Sequence, residues 1–104
     1  MIPIRFHAEI ETDLEDVWLW IARDSEDAAD RFVDAVERTF AEIARHSQIG
    51  WERPWKHRQL KGLRSWRVKD FPSYLVFYRI EGEVVAMVAL LHSARAFERI
   101  LRRR

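Results

Sequence analysis

Two apolar runs joined by a tight turn constrain this chain more than any other feature. Residues 74–80 and 83–91 flank a Glu81-Gly82 connection, and a glycine-bearing two-residue link between such runs predicts a β-hairpin. Alternation puts Leu75, Phe77, Val85, Met87 and Ala89 on one parity and Val76, Val84, Val88 and Leu90 on the other. A strand pair that is apolar on both faces needs cover on both. Helices can cover one side. The other requires the C-terminal segment 93–104, as a helix or tail, or a partner chain. Ser93 is a candidate cap for that segment, and Ala96, Phe97, Ile100 and Leu101 give it an apolar side.

The upstream sequence supplies the helices. Leu14, Val17, Trp18 and Ile21 recur at the i, i+3, i+4, i+7 spacing of one helix face, and Thr12 with Glu15 forms a capping box, so a helix is predicted over 13–23. Ser25, followed by acidic Glu26 and Asp27, begins a second helix. Ala29, Phe32, Val33, Val36, Phe40 and Ile43 carry its apolar stripe to His46, and the short link makes the two helices an antiparallel hairpin. Before them, Ile2, Ile4 and Phe6 alternate with Pro3 and Arg5 as a short strand with a proline suited to an edge. After them, residues 48–58 lack a period and read as a loop holding Trp51 and Trp55. Such tryptophans either fold back as a lid or stand out to stack on bases or anchor a partner. From Leu63 the period becomes two: Trp66 and Val68 face one side, Ser65, Arg67 and Lys69 the other, and a turn over 70–73 containing Pro72 leads into the hairpin. The predicted fold is α+β, in the order β-α-α-β-β-β: one domain over 1–104, with a helical hairpin packed on a small antiparallel sheet.

Charge divides along the chain. Residues 1–46 hold 5 Lys/Arg against 12 Asp/Glu, net −7, while residues 47–104 hold 13 against 5, net +8. A basic half with interleaved aromatics suits an anionic partner. With no cysteine there is no disulfide framework, thiolate metal site or cysteine nucleophile. The four histidines lack ligand spacing and the three glycines form no phosphate-binding loop, so neither metal nor cofactor is expected. The absence of a long apolar run and of a signal-like start predicts no membrane contact and a cytoplasmic location.

The order of elements, the Asp13-Leu14 pair opening the first helix, Arg64-x-Trp66-x-Val68, Phe77-Tyr78-Arg79 and the closing His92-x-x-Arg95 together resemble the RelE/ParE toxin superfamily, and its ParE-like branch in particular, over nearly the whole chain. The resemblance implies the toxin of a type II toxin–antitoxin system, neutralised by a ParD-like antitoxin. That antitoxin would lay an acidic amphipathic segment over the open sheet face and the helical hairpin. Within the superfamily, ParE-type members poison DNA gyrase and RelE-type members are ribosome-dependent mRNA endonucleases. RelE-type nucleases resemble one another in an arginine where this chain has Leu75, and in a tyrosine late in the chain, often directly after a histidine, where this chain has Ser93 following His92.

Cleavage by a 2′-hydroxyl needs a general base, a general acid and cations facing the developing charge. His92 is a candidate for one proton carrier, with Arg95 and Arg67 as clamps, but no second carrier stands out. The ParE-type reading is therefore preferred, with the nuclease and an inactive interaction module as alternatives. Expected contacts to antitoxin or target are Trp20, Arg64, Arg67 and Lys69, the last three as a basic stripe. Leu75, Arg79, His92 and Arg95 complete the set.

Overall fold

The computed structural model describes residues 2–104. Strand β1 (Ile4–Phe6) leads into helices α1 (Ile10–Ala22) and α2 (Glu26–Arg45), then β2 (Trp51–Glu52), a 3₁₀ turn at Arg58–Leu60, strands β3 (Arg64–Val68), β4 (Phe71–Glu81) and β5 (Val84–His92), and helix α3 (Phe97–Arg102). The sheet order is β1-β5-β4-β3-β2. The α+β architecture of a helical hairpin on a meander is as predicted, but the sheet is not antiparallel throughout. Strand β1 runs parallel to β5, with Arg5 opposite Ala86. Parallel pairing needs a long crossover, and almost the whole intervening chain supplies it.

Local chemistry sets several boundaries. The Ser25 hydroxyl accepts the Ala28 amide at 3.1 Å and caps α2 as expected. Helix α1 instead starts at Ile10 without a side-chain cap. The predicted box at Thr12 and Glu15 therefore lies inside the helix, which begins a turn earlier because the Ile10 amide already bonds the His7 carbonyl. Pro72 lies in β4 and not in the turn; Lys69 and Asp70 make the turn, with Asp70 at φ 67°. The strand tolerates the proline because the β3–β4 register shifts there, leaving no ladder position that needs its N–H.

A bulge between β4 and β5 sorts the core. Phe77 faces Ala89 while the next residue, Tyr78, faces Met87, so Val88 is the extra residue. Beyond it the faces exchange. Val76, Tyr78, Val85, Met87 and Leu90 pack with Phe32, Val36, Phe40 and Ile43 under the helices, while Leu75, Phe77, Val88, Ala89 and Leu91 form a second core. The predicted grouping of Val85 and Met87 with Leu75 and Phe77 fails because the two-residue turn pairs even positions with odd ones, Ile80 with Val85 and Tyr78 with Met87, and only beyond the bulge does Ala89 come beside Phe77. Cover for the second core comes from the chain itself: Leu60, Leu63 and Leu101 are buried in it, and Trp55, Phe97 and Ile100 pack against it. Trp55 is thus a lid, its indole donating to the Leu63 carbonyl at 2.9 Å.

Gly50 marks one point of close approach. Its amide donates to the buried Tyr78 hydroxyl at 2.7 Å, and that hydroxyl donates to the Ser47 carbonyl at 2.6 Å. A Cβ at Gly50 would lie 2.5 Å from the Tyr78 oxygen, so only glycine fits. Burial raises the Tyr78 pKa, opposed by the Gly50 hydrogen bond and the nearby Arg64 charge. This tyrosine fastens the end of α2 to the sheet.

Candidate functional site

Helix α1 crosses the sheet so that Asp13, Asp16, Val17 and Trp20, one i, i+3, i+4, i+7 stripe, form a wall of a groove. Tyr74, Leu90, Leu91 and His92 form the facing wall, and Arg95 closes the end; the enclosed volume is about 390 Å³. Trp20 is 62 % exposed at the rim, with the Arg23 guanidinium 4.7 Å from its ring. Neighbouring Leu19, also exposed, extends the apolar surface. The groove brings together Trp20, His92 and Arg95 from opposite ends of the sequence.

Asp13 anchors the inner end. Its carboxylate accepts two bonds from the Arg104 guanidinium, at 2.5 and 2.7 Å, and one from the Leu90 amide at 2.9 Å. Arg104 also donates to the Val88 carbonyl at 3.1 Å. Both side chains are nearly buried, at 7 % and 10 % exposure. Hydrogen bonding to Asp13 raises the Arg104 pKa, with burial opposing it and the charges of Asp13 and Glu9 adding to it. Where β1 ends, this pair continues the work of a strand: it satisfies the bulge carbonyl and the next outward amide on the edge of β5.

His92 stands opposite Tyr74 on the neighbouring strand, their rings edge to face at 4.9 Å. The Nδ1 of His92 accepts the Ala94 amide at 2.9 Å. Its neutral imidazole must then carry the proton on Nε2, which makes it a donor and removes the free lone pair a general base requires. Burial raises the pKa of Tyr74, so its phenol is held protonated as a second donor. Asp16 is exposed in the same groove. The lining thus combines an apolar floor, donors and one arginine with two carboxylates. Tyr74, Asp13 and Asp16 were absent from the sequence-derived site. Helical spacing from Trp20 would have found the two aspartates, and hairpin register would have brought Tyr74 near His92.

The remaining expected contacts scatter. Arg64 shares Tyr78's face, and its guanidinium donates to the Gly50 carbonyl at 2.7 Å and the Gln48 carbonyl at 3.3 Å. Arg67 pairs with Leu75 on the opposite face and is exposed. Lys69 sits in the β3–β4 turn, its side chain exposed. The three do not form one stripe, because alternation sends Arg64 and Arg67 to different sides and the turn carries Lys69 away. Arg79 donates to the Gln59 carbonyl at 2.7 Å. Leu75 is 7 % exposed in the second core, so it offers no contact surface here. Among the described residues, no group of three or more His, Cys, Asp or Glu side chains is placed to hold a metal ion, and no helix is long and apolar enough to cross a membrane.

A family model described as the ParE toxin of the type II toxin–antitoxin system parDE matches residues 4–97. The chain belongs to the ParE toxin family. The ParE-like fold is matched by a solved structure from P. aeruginosa described as a chromosomal ParDE toxin–antitoxin system, with a TM-score of 0.70 and 13 % identity, covering 88 % of this chain and 96 % of that one. No curated protein sequence matches it. The matched residues of the ParE model take in all of α1 and β5, hence both walls of the groove, and stop at the first residue of α3.

Proposed function

We propose that this ParE-family protein arrests growth by binding and poisoning DNA gyrase, and that a ParD-like antitoxin neutralises it. The observation that carries the choice of poison over nuclease is the company His92 keeps. Around it stand Arg95, Tyr74 and the carboxylates of Asp13 and Asp16, while Arg64 and Arg67 lie elsewhere. With Asp13 already paired to Arg104, a phosphodiester in this groove would face the carboxylate of Asp16 and the single guanidinium of Arg95, neither of them paired among the described residues, too little positive charge for phosphorane stabilisation. Apolar floor, exposed tryptophan and sparse polar donors suit instead a protein segment that inserts an apolar anchor.

The second sheet face already lies under α3 and the 53–63 segment, so the antitoxin's apolar residues have their open surface in the groove and around Leu19 and Trp20. Arg95 would meet an acidic residue of that partner. Regulated expression in a bacterium tests the reading. The expected result is growth arrest with DNA-damage induction and intact mRNA, lost on Arg95→Ala or Trp20→Ala. Ribosome-dependent mRNA cleavage without DNA damage would replace the gyrase reading with the nuclease one. Normal growth with soluble, folded protein would sink both.

A further inference from the structure

The basic half of the chain contains a surface that the groove does not use. Segment 51–61 carries Arg53, Lys56, Arg58 and Lys61 against the single acid Glu52, and residues 52–58 with Lys61 line an open hollow of about 440 Å³. Helix α3 packs directly against this segment. The Gln59 side-chain amide donates to the Arg102 carbonyl at 3.3 Å, and the Arg53 guanidinium lies 4.9 Å over the Phe97 ring. The one acid of α3, Glu98, already faces His57 at 3.8 Å. Lys56, Arg58, Lys61 and Arg102 are exposed, and among the described residues none of them is in an ion pair. Clustered like charges repel and destabilise a fold, and a bound polyanion offsets that repulsion.

Trp51 supplies the second, independent observation. Three of the five tryptophans donate their indole N–H within the protein: Trp18 to Asp30, Trp55 to the Leu63 carbonyl and Trp66 to Glu42. Trp51 does not, and it stands 62 % exposed on the edge strand β2, with the Arg53 guanidinium 5.4 Å from its ring. Arg53 also lines the hollow shared by Lys56, Arg58 and Lys61, so Trp51 stands at its edge, and an aromatic face next to a cationic hollow is the arrangement that holds unpaired bases by stacking and their phosphates by charge. Duplex DNA hides its base faces. An acidic peptide would use the same cations, and comparing polyglutamate with an oligonucleotide separates the two.

We infer that the seam between the 51–61 segment and α3 binds single-stranded nucleic acid, its phosphates on Lys56, Arg58, Lys61 and Arg102 and a base stacked on Trp51. This goes beyond the gyrase reading and does not depend on it, since the surface belongs to the isolated protein and lies against the sheet face opposite α1.

The test is fluorescence anisotropy of the full chain with a labelled oligothymidylate of about 12 nucleotides, within the usual site size, titrated from about 50 mM salt upward. Three to four phosphate contacts give a log–log salt slope of about −2 to −3. The Arg58→Glu/Lys61→Glu variant should lose at least about tenfold in affinity, because two contacts become repulsions. Trp51→Ala should lose about five- to a hundredfold while leaving the salt slope unchanged, since it removes a stacking face and no charge. Trp20→Ala should bind as the parent does. If the double variant does not fold by circular dichroism, Lys56→Ala and Lys61→Ala replace it, each expected to flatten the slope by about 0.7. Salt-insensitive or absent binding overturns the proposal, as does parent-like affinity in the folded charge variants. Tighter binding of polyglutamate than of the oligonucleotide overturns it in favour of an acidic polypeptide partner.

Discussion

Removing the Asp13 carboxylate should be among the most damaging single changes to this fold. Asp13→Ala leaves the Arg104 guanidinium without its bidentate partner and the Leu90 amide without its acceptor, in a place where the two side chains are only 7 % and 10 % exposed. Breaking one side of a buried ion pair costs about 3–5 kcal/mol, most of it the desolvation of the stranded charge. Arg104 lies near the chain's end and can swing out to water, so the lower part of that range applies, about 3 kcal/mol. For a domain of this size that lowers Tm by roughly 15 °C. Asp13→Asn, which keeps an oxygen for the Leu90 amide, should cost less. Arg104→Ala should cost a comparable amount to Asp13→Ala, because Asp13 keeps its bond to Leu90 but its buried carboxylate loses its counter-charge. Urea denaturation of both alanine variants and of the double variant checks the coupling: the double should cost clearly less than the two singles added. Hydrogen exchange at the Leu90 amide should accelerate in Asp13→Ala and hardly at all in Asp13→Asn. A loss below about 1 kcal/mol for Asp13→Ala, or strict additivity, would refute the claim that this pair closes the β5 edge.

Three further outcomes rest on separate features. Gly50→Ala drives a methyl against the Tyr78 hydroxyl and should cost about 1–3 kcal/mol, read as a lower urea midpoint with an unchanged m-value. Asp70→Val places a β-branched residue at φ 67° and should cost about 1–2 kcal/mol, whereas Asp70→Gly should be neutral or stabilising in the same assay. Tyr74 and Tyr78 both have pKa values raised above the ordinary 10.0. Their neutral forms are favoured by folding, so their contribution is complete below pH 10 and is lost as pH rises through the higher folded values. Melting temperatures measured from pH 8 to 11 should fall only at the alkaline end, and a midpoint that rises there would contradict the burial of these phenols.

How far the sequence foretold the site depends on what kind of contact made each part. Trp20 is an expected contact off the apolar stripe of α1, and His92 and Arg95 come from the closing His-x-x-Arg of the resemblance; the fold brings them together because α1 and the end of β5 are neighbours. The hairpin turn alone would have paired His92 with Ser73; the bulge at Val88 moves its partner to Tyr74. That single extra residue also exchanged the core faces downstream, an effect that alternation cannot foresee because it assumes an unbroken ladder. Leu75 was read as a surface residue only because nothing in the local pattern says which of two covers, α3 or a partner, lies over it.

By itself the sequence determined the α+β class, the helical hairpin and the meander, because periodicity, the Ser25 cap and turn glycines act over a few residues and leave a local imprint, while the family rested on the resemblance of its motifs. Tertiary structure alone decided the parallel β1–β5 edge, the Asp13–Arg104 closure of that edge and the separation of the basic residues onto different surfaces. Each of these joins groups far apart in the chain or depends on register, and a charge or amide shows its partner only when the fold has removed water from between them.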